Sequence, residues 1–393
     1  MIECDVLVVG CGPAGASAAR AAAIRGAKVI CIDKKKEIGV PVQCAEGIGS
    51  YLFPYLPFEI PKNQLKWRID GIKFWVDGIE ITKTGGFWEG YTIERKSFDV
   101  WLAKTAANTG AKILTDTEFL RFKPGDERIA ICTRKNEELL IKAKCVIGAD
   151  SSDSKILKEM GGYKPKHGDL ADVYSWEMTN LNLESPHLEQ IFIGDFAPGG
   201  YGYIFPKSKK TANLGVGISF AKKEPKKYFE DFVSLDLVRN QLKGAKFVAE
   251  KSKKVIWGDI TDRWIYRDVL LAGDAANHNL KPFIEGILPA IISGNLAGEL
   301  AHSVCEGELI EMEDYFKKLE KQLHPHFSVS KEIMKTAQRI FSLSDKKKNL
   351  LFAGLASQLF ELERMSELEE CSYEMLKAML LKEKEKELLR ESH

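Results

Sequence analysis

The stretch CDVLVVGCGPAGASAARAAAIRGAKVICIDKK, residues 4–35, decides how the rest of the chain is read. An apolar run from Val6 to Val9 stops at Gly10, an alanine-rich segment with helix-forming composition follows Pro13, and a second apolar run, VICI, ends at Asp33. This order is one βαβ unit. In such a unit Gly10 makes the tight turn, Gly12 lets the backbone approach a pyrophosphate, and Gly15 lets the helix lie close on the strand. The helix N-terminus then receives the anion, and Asp33 at the end of the second strand is in reach of a ribose hydroxyl. Dinucleotide binding is the expectation from this segment alone.

The whole chain is consistent with a globular protein of two or three packed units: 393 residues, 45% apolar and 29% charged. Lys plus Arg total 57 against 56 Asp plus Glu, so a net charge of +1 supplies no field that would gather nucleic acid. The eight cysteines include no CxxC pair and no Cys/His cluster at ligand spacing, which excludes a zinc or iron–sulfur reading. Cys4, Cys31 and Cys145 lie in apolar runs as buried thiols of a reducing compartment, and no leader precedes the first strand, so the cytoplasm is the expected location. The most apolar helical run, ILPAIISGNLAGELA (287–301), is too short to span a bilayer and carries Asn295 and Glu299, leaving at most a peripheral membrane contact.

Further along, RIDGIKFWVDGIEITK (68–83) alternates like an antiparallel meander. YTIERKSFDVWLAKTAANTGAKIL (91–114) reads as turn, helix and strand, with apolar positions at Phe98, Trp101, Leu102 and Ala106. IAICTRKNEELLIKAKCVIGAD (129–150) is a strand pair returning to the nucleotide sheet. Residues 160–260 are again rich in short strands, VLLAGDAAN (269–277) is a buried strand running into a Gly–Asp turn, and a helix follows from about Gly286. The expected division is an α/β, Rossmann-type nucleotide domain (1–55, 94–160, 260–307), a mainly antiparallel substrate domain (56–93, 161–259) and a helical region (308–393) whose Lys/Glu-rich faces point to solvent. Arg95 heads a helix within reach of phosphate oxygens, and Asp274 ends a strand where it can accept from a sugar or ribityl hydroxyl.

These segments together resemble flavoproteins with the p-hydroxybenzoate hydroxylase fold, through GxGxxG with Asp33, VIGAD at 146–150 and LAGDAA at 271–276. Within that group, EIGVPVQCAEGI (37–48) and GGYGYIFPKSKKTANLGVGI (199–218) resemble the geranylgeranyl reductase family, which includes archaeal digeranylgeranylglycerophospholipid reductases. The resemblance implies FAD as cofactor, held by Gly10, Gly12, Ala14, Gly15, Asp33, Lys34, Cys44, Ala45, Arg95, Asp150, Gly273, Asp274, Pro282, Gly286 and Ile287. It implies an isoprenoid lipid substrate lying on Tyr201, Tyr203, Phe205, Pro206 and Lys207, the lysine meeting a lipid phosphate. The electron donor implied is reduced ferredoxin or NAD(P)H, and the reaction is saturation of carbon–carbon double bonds by hydride transfer and protonation. Cys44 and Glu46 would border the flavin, with Glu285 and His278 as further proton-transfer groups. Where that family has glycines, this chain has Ser151, Asn277, Ile284 and Glu285. Two other readings stand on the same scaffold: an FAD monooxygenase of a small aromatic, and a non-catalytic prenyl-lipid carrier.

Overall fold

The computed structural model describes residues 1–391, so the last two positions of the expected helical region lie outside the described residues. The chain opens with β1 (Ile2–Val9), α1 (Pro13–Ile24) and β2 (Val29–Ile32), then runs through β3 (Gly47–Gly49), β4 (Leu65–Ile69), β5 (Gly71–Val76), β6 (Ile79–Thr84) and β7 (Gly90–Ile93). It returns by α2 (Arg95–Asn108), β8 (Lys112–Leu114), β9 (Thr117–Lys123), β10 (Asp126–Arg134), β11 (Glu137–Gly148) and α3 (Lys155–Glu159). A second excursion comprises β12 (Leu170–Thr179), β13 (Leu188–Ile193), β14 (Tyr201–Pro206), β15 (Thr211–Ile218), α4 (Pro225–Ser234), α5 (Asp236–Gln241) and β16 (Lys246–Ile256). Then come β17 (Ile265–Tyr266), β18 (Val269–Leu271) and α6 (Ile287–Cys305), followed by α7 (Met312–Leu323), α8 (His326–Phe341), α9 (Lys347–Ala356), α10 (Met365–Leu368) and α11 (Tyr373–Glu391).

The first sheet has the order β17-β18-β11-β1-β2-β8, with β9 and β10 attached beside β11. β18, β11, β1, β2 and β8 are mutually parallel. Val9 stands beside Ile32 and Gly148, and Gly148 beside Leu271, so three strands that precede functional segments end at one carboxyl edge with β1. The residues that follow them, Gly10, Asp33, Ala149–Asp150 and Ala272–Gly273, therefore meet there although they are distant in sequence. Such an edge is where open parallel sheets bind ligands.

Helices cover this sheet, and the closest pair is α1 against α6. The small residues of α1 allow the approach, because Gly294 and Gly298 present bare backbone to it. A Cβ on Gly294 would lie 2.1 Å from the Ala14 carbonyl oxygen, and one on Gly298 2.3 Å from that of Ala18. Ser17 donates to the Ile291 carbonyl at 2.7 Å in the same interface.

The second sheet, β16-β12-β15-β14-β13-β5-β6, is antiparallel except where β13 runs parallel to β5. Residues 56–93, expected as one meander, are split: β5 and β6 join this sheet, while β7 pairs with β3 on one side and β4 on the other in a three-stranded sheet. Alternation along its strands separates two cores. Phe192 and Ile204 face α4, with Phe229 and Phe232, whereas Ile191, Ile193, Tyr201 and Tyr203 face the opposite side. That opposite core corrects the expectation of solvent-exposed C-terminal helices. Residues 350–356 of α9 are buried throughout against this sheet, joined by Ala337 and Ile340 of α8 and Leu376 and Leu380 of α11. A helix that is apolar on all sides is stable only when it is enclosed.

Gly294→Ala is expected to destabilise the protein by about 1–3 kcal/mol, the usual cost of overpacking a close backbone contact. Urea unfolding of the purified variant checks this; an unchanged midpoint would mean that α6 moves away from α1 without loss.

Candidate active site

A cavity of about 670 Å³ runs from the glycine turn along the carboxyl edge of the first sheet to the inner face of the second. At its first end Gly10 has φ +97°, and a Cβ there would lie 2.3 Å from the Ala149 oxygen. A Cβ on Gly15 would lie 1.7 Å from the Gly10 oxygen, whereas one on Gly12 would meet nothing within 4 Å. Two glycines thus pack the turn and the third faces open space. Gly12 caps α1 without a side-chain bond, and the first turn of that helix holds no acid, so its amides are free for an anion. Ala14, Lys34, Asp150, Asp274, Gly286 and Ile287 also line the cavity.

Several of these groups are already engaged. Asp33 accepts from the Cys11 and Lys35 amides at 2.9 and 2.8 Å, which ties β2 to the glycine turn. Asp150 accepts from Ser154 Oγ at 2.6 Å and the Ile156 amide at 3.1 Å, and burial raises it above the ordinary carboxyl range. Lys253 lies 3.6 Å from Asp274. Gly273 and Pro282 do not line the cavity, whereas Asp274 and Glu285 beside them do.

Residues 44–46 form the middle wall. The Cys44 sulfur accepts from the Glu46 amide at 3.2 Å and lies beside the Arg95 guanidinium. Arg95 makes two 2.9 Å bonds to the two oxygens of Asp99; burial opposes its charge, but Asp99 and the Cys44 sulfur raise it above its ordinary value. Glu46 is fully buried at φ +73°. Its Oε1 accepts from the Arg95 amide at 2.9 Å, and its Oε2 from Lys207 at 2.7 Å, Asn213 at 2.8 Å and Lys251 at 3.3 Å. Burial works against the carboxylate, yet Lys251 and Lys207 lower it below the usual range, so Glu46 is an anion held in place rather than a proton source.

The far wall carries Tyr201, Tyr203 and Phe205 from one face of β14. Tyr201 donates to the Phe283 carbonyl at 2.8 Å, and Ala45, Ile191 and Ile284 complete the apolar surface. Pro206 and Lys207 are corrections: neither lines the cavity. Lys207 follows β14 on the same side as Phe205, where Glu46, Glu94 and Glu177 surround it at 2.7–3.2 Å, so its charge is committed to these carboxylates and not to a lipid phosphate. His278 is also displaced. It is fully buried among Trp264, Tyr315 and Phe327, and neither ring nitrogen has a partner. Burial, then Lys331 and Lys281, lower it to about 3, so it is a neutral packing residue.

Glu285 does reach the cavity, where Tyr51 donates to its Oε1 at 2.9 Å and burial raises it to about 7. Sequence reasoning missed Tyr51, Lys251, Asn213 and Glu189. Only Glu189 left a signal, as an acid in LEQIFI in step with Ile191 and Ile193 on a face otherwise apolar. The glycine replacements keep glycine-like backbone: Ser151, Asn277 and Ile284 have φ of +74°, +57° and +57°. For a β-branched residue such as Ile284 this conformation costs about 1–2 kcal/mol, carried at the cavity wall.

The α/β sheet with its glycine turn, the second sheet and the shared cavity define an FAD-dependent oxidoreductase. Residues 5–181 match the FAD dependent oxidoreductase family and residues 169–250 the geranylgeranyl reductase catalytic domain. The chain is 32% identical to the digeranylgeranylglycerophospholipid reductase of Methanococcus aeolicus, over 92% of each chain. It is 33% identical to that of Methanocaldococcus jannaschii, over 90% of this chain and 91% of the other. A solved Thermoplasma acidophilum protein described as geranylgeranyl bacteriochlorophyll reductase-like superimposes with a TM-score of 0.80 and 26% identity, covering 98% of this chain and all of the other. The chain belongs to the geranylgeranyl reductase family, in the group of the digeranylgeranylglycerophospholipid reductases.

Two outcomes follow from this geometry. Gly12→Ala is expected to leave the urea midpoint of the cofactor-free protein unchanged and to weaken FAD binding about tenfold or more, roughly 1.4 kcal/mol, read by quenching of flavin fluorescence. For His278, the unfolded chain binds a proton near 6.5 that the folded one refuses until about 3, so stability falls as pH drops through that window. His278→Leu is expected to lose less stability than wild type between pH 6.5 and 4; parallel curves in urea would remove His278 as a cause.

Proposed function

We propose that the protein saturates isolated double bonds of geranylgeranyl chains on ether-linked glycerophospholipids. The observation that carries this is the continuity of one cavity from the free N-terminus of α1 to an aromatic and aliphatic wall with few hydrogen-bonding groups. An isoprenoid chain offers only apolar surface, which suits such a wall. The residues of the first end fit FAD: the open side of Gly12 and the α1 amides for the pyrophosphate, Asp33, Lys34, Arg95 and Asp274 along its length, and the α6 N-terminus at Gly286–Ile287 for the ring.

Bound and reduced, FAD supplies the hydride and its two electrons. Everything else is the work of this chain. Tyr201, Tyr203 and Phe205 hold the alkene in place, and the C-terminal helices packed behind them keep water out. An isolated alkene is a poor electrophile, so a proton must be delivered to the second carbon as the first is reduced. Of the groups named for this from the sequence, Cys44, Glu46, Glu285 and His278, the first three border the cavity, and Glu46 is held there as an anion. Reducing equivalents come from a transient donor, either reduced ferredoxin or NAD(P)H, since the first sheet contains one glycine-turn βαβ unit among the described residues. No described helix is long and apolar enough to cross a membrane, and contact with the lipid surface is peripheral.

The test is anaerobic. Reduce the holoprotein with dithionite, add a geranylgeranyl ether lipid, follow flavin absorbance and weigh the lipid. Flavin reoxidation with two hydrogens gained per double bond is expected; reduced flavin beside unchanged lipid sinks the substrate, and NADPH-driven oxygen consumption instead would favour hydroxylation.

A further inference from the structure

We propose that Glu189 is the acid that protonates the alkene, and that Glu285 resupplies it as the second member of a carboxyl pair. The inference rests on the reductase reading above and names a residue that reading does not use.

The two carboxyls come from different elements to the same face of β3. Oε1 of Glu189, from β13, lies 2.5 Å from where a Gly47 Cβ would stand, with Phe205 3.4 Å from the same point. Oε2 of Glu285, from the segment before α6, lies 3.0 Å from the corresponding position on Gly49. Residues 47 and 49 are two strand steps apart, about 7 Å, and point to one side. Glycines at both positions leave the room that the carboxyls occupy. Both acids line the cavity between the Cys44–Glu46 wall and the aromatic wall.

Neither acid is neutralised by a cation. No hydrogen bond or ion pair from a described residue reaches the Glu189 carboxyl, and Glu285 accepts only from Tyr51 and the Gly49 amide. The ionisable groups facing them are each other, Tyr51, Tyr201 and, beside Tyr201, Tyr203. The nearby lysines are committed elsewhere, Lys207 and Lys251 to Glu46 and Glu177, and Lys253 to Asp274. Burial, then the charge of Glu285, raises Glu189 to about 8. Burial raises Glu285 to about 7, against the pull of Tyr51. At neutral pH Glu189 therefore carries its proton into an apolar space, as a general acid must.

The step balances. The alkene π bond breaks, one carbon takes the hydride, and the other takes the Glu189 proton while the O–H electron pair stays on oxygen. Two C–H bonds form and nothing leaves. The Glu189 carboxylate regains a proton from the Glu285 side, where Tyr51 lies with its ring 4.9 Å from the half-buried imidazole of His326.

The experiment uses two readouts. In cofactor-free protein labelled at glutamate Cδ, NMR titration is expected to show two carboxyls titrating near 8 and 7; E189Q removes the first, and E285Q removes the second and lowers the first. In single turnovers of the dithionite-reduced holoenzyme, the wild-type rate of lipid saturation is expected to fall above about pH 8. E189Q is expected to slow it roughly 100-fold or more with FAD and lipid still bound, E189D to recover part, and E285Q to shift the pH profile downward. Should E189Q not fold, E189L, which also lacks the carboxyl, is the deciding variant. Wild-type rates at every pH in a variant that lacks the carboxyl, or two ordinary glutamate titrations, overturn the role of Glu189. Wild type that binds lipid and saturates nothing overturns the reductase reading instead, and the NMR result separates the two failures.

Discussion

The Glu46 carboxylate ties the two sheets together. It sits at zero exposure in left-handed backbone, bonded to the α2 amide of Arg95 on one side and to Lys207, Asn213 and Lys251 of the second sheet on the other. A buried charge of this kind is weak evidence for stability, because desolvation offsets most of the attraction. Its value here is positional: the four partners come from three elements and the turn after β14, and satisfying them all fixes where residues 44–47 stand. Those residues are the wall between the nucleotide end of the cavity and the lipid end.

Within a short span of that wall the chain sets carboxyl groups to opposite tasks. Glu46, ringed by cations and donors, stays ionised, whereas burial raises Glu189 to about 8 and Glu285 to about 7, so the pair holds protons up to neutral pH. Environment alone makes the difference, which is how one site can hold a fixed anion and a proton reservoir together. Cys44 lies at the junction, its sulfur between the Glu46 amide and Arg95.

Much of the fold was legible because its signals are local. The βαβ start, the α2 helix behind Arg95, the β10–β11 pair and the α6 helix were all readable from hydrophobic period and punctuation. The aromatic period of YGYIFP correctly put Tyr201, Tyr203 and Phe205 on one face, and the same period, followed two residues further, puts Lys207 on that face too. What the period does not show is that three carboxylates, Glu46, Glu94 and Glu177, already hold the lysine there. His278 was misplaced for a similar reason: its neighbours Trp264, Tyr315 and Phe327 come from three distant segments.

By itself the sequence determined the nucleotide-binding class, the family and the residues of the glycine turn, because these depend on short-range backbone geometry and on spacing within one unit. Even the replacements at Ser151, Asn277 and Ile284 were visible as departures. Their left-handed backbone was not, since φ at a non-glycine residue is imposed by surrounding packing. Only the tertiary structure decided which acids are charged, which lysines are free and which helices are enclosed. Those properties depend on desolvation and on partners brought from other elements, and neither quantity is written along the chain.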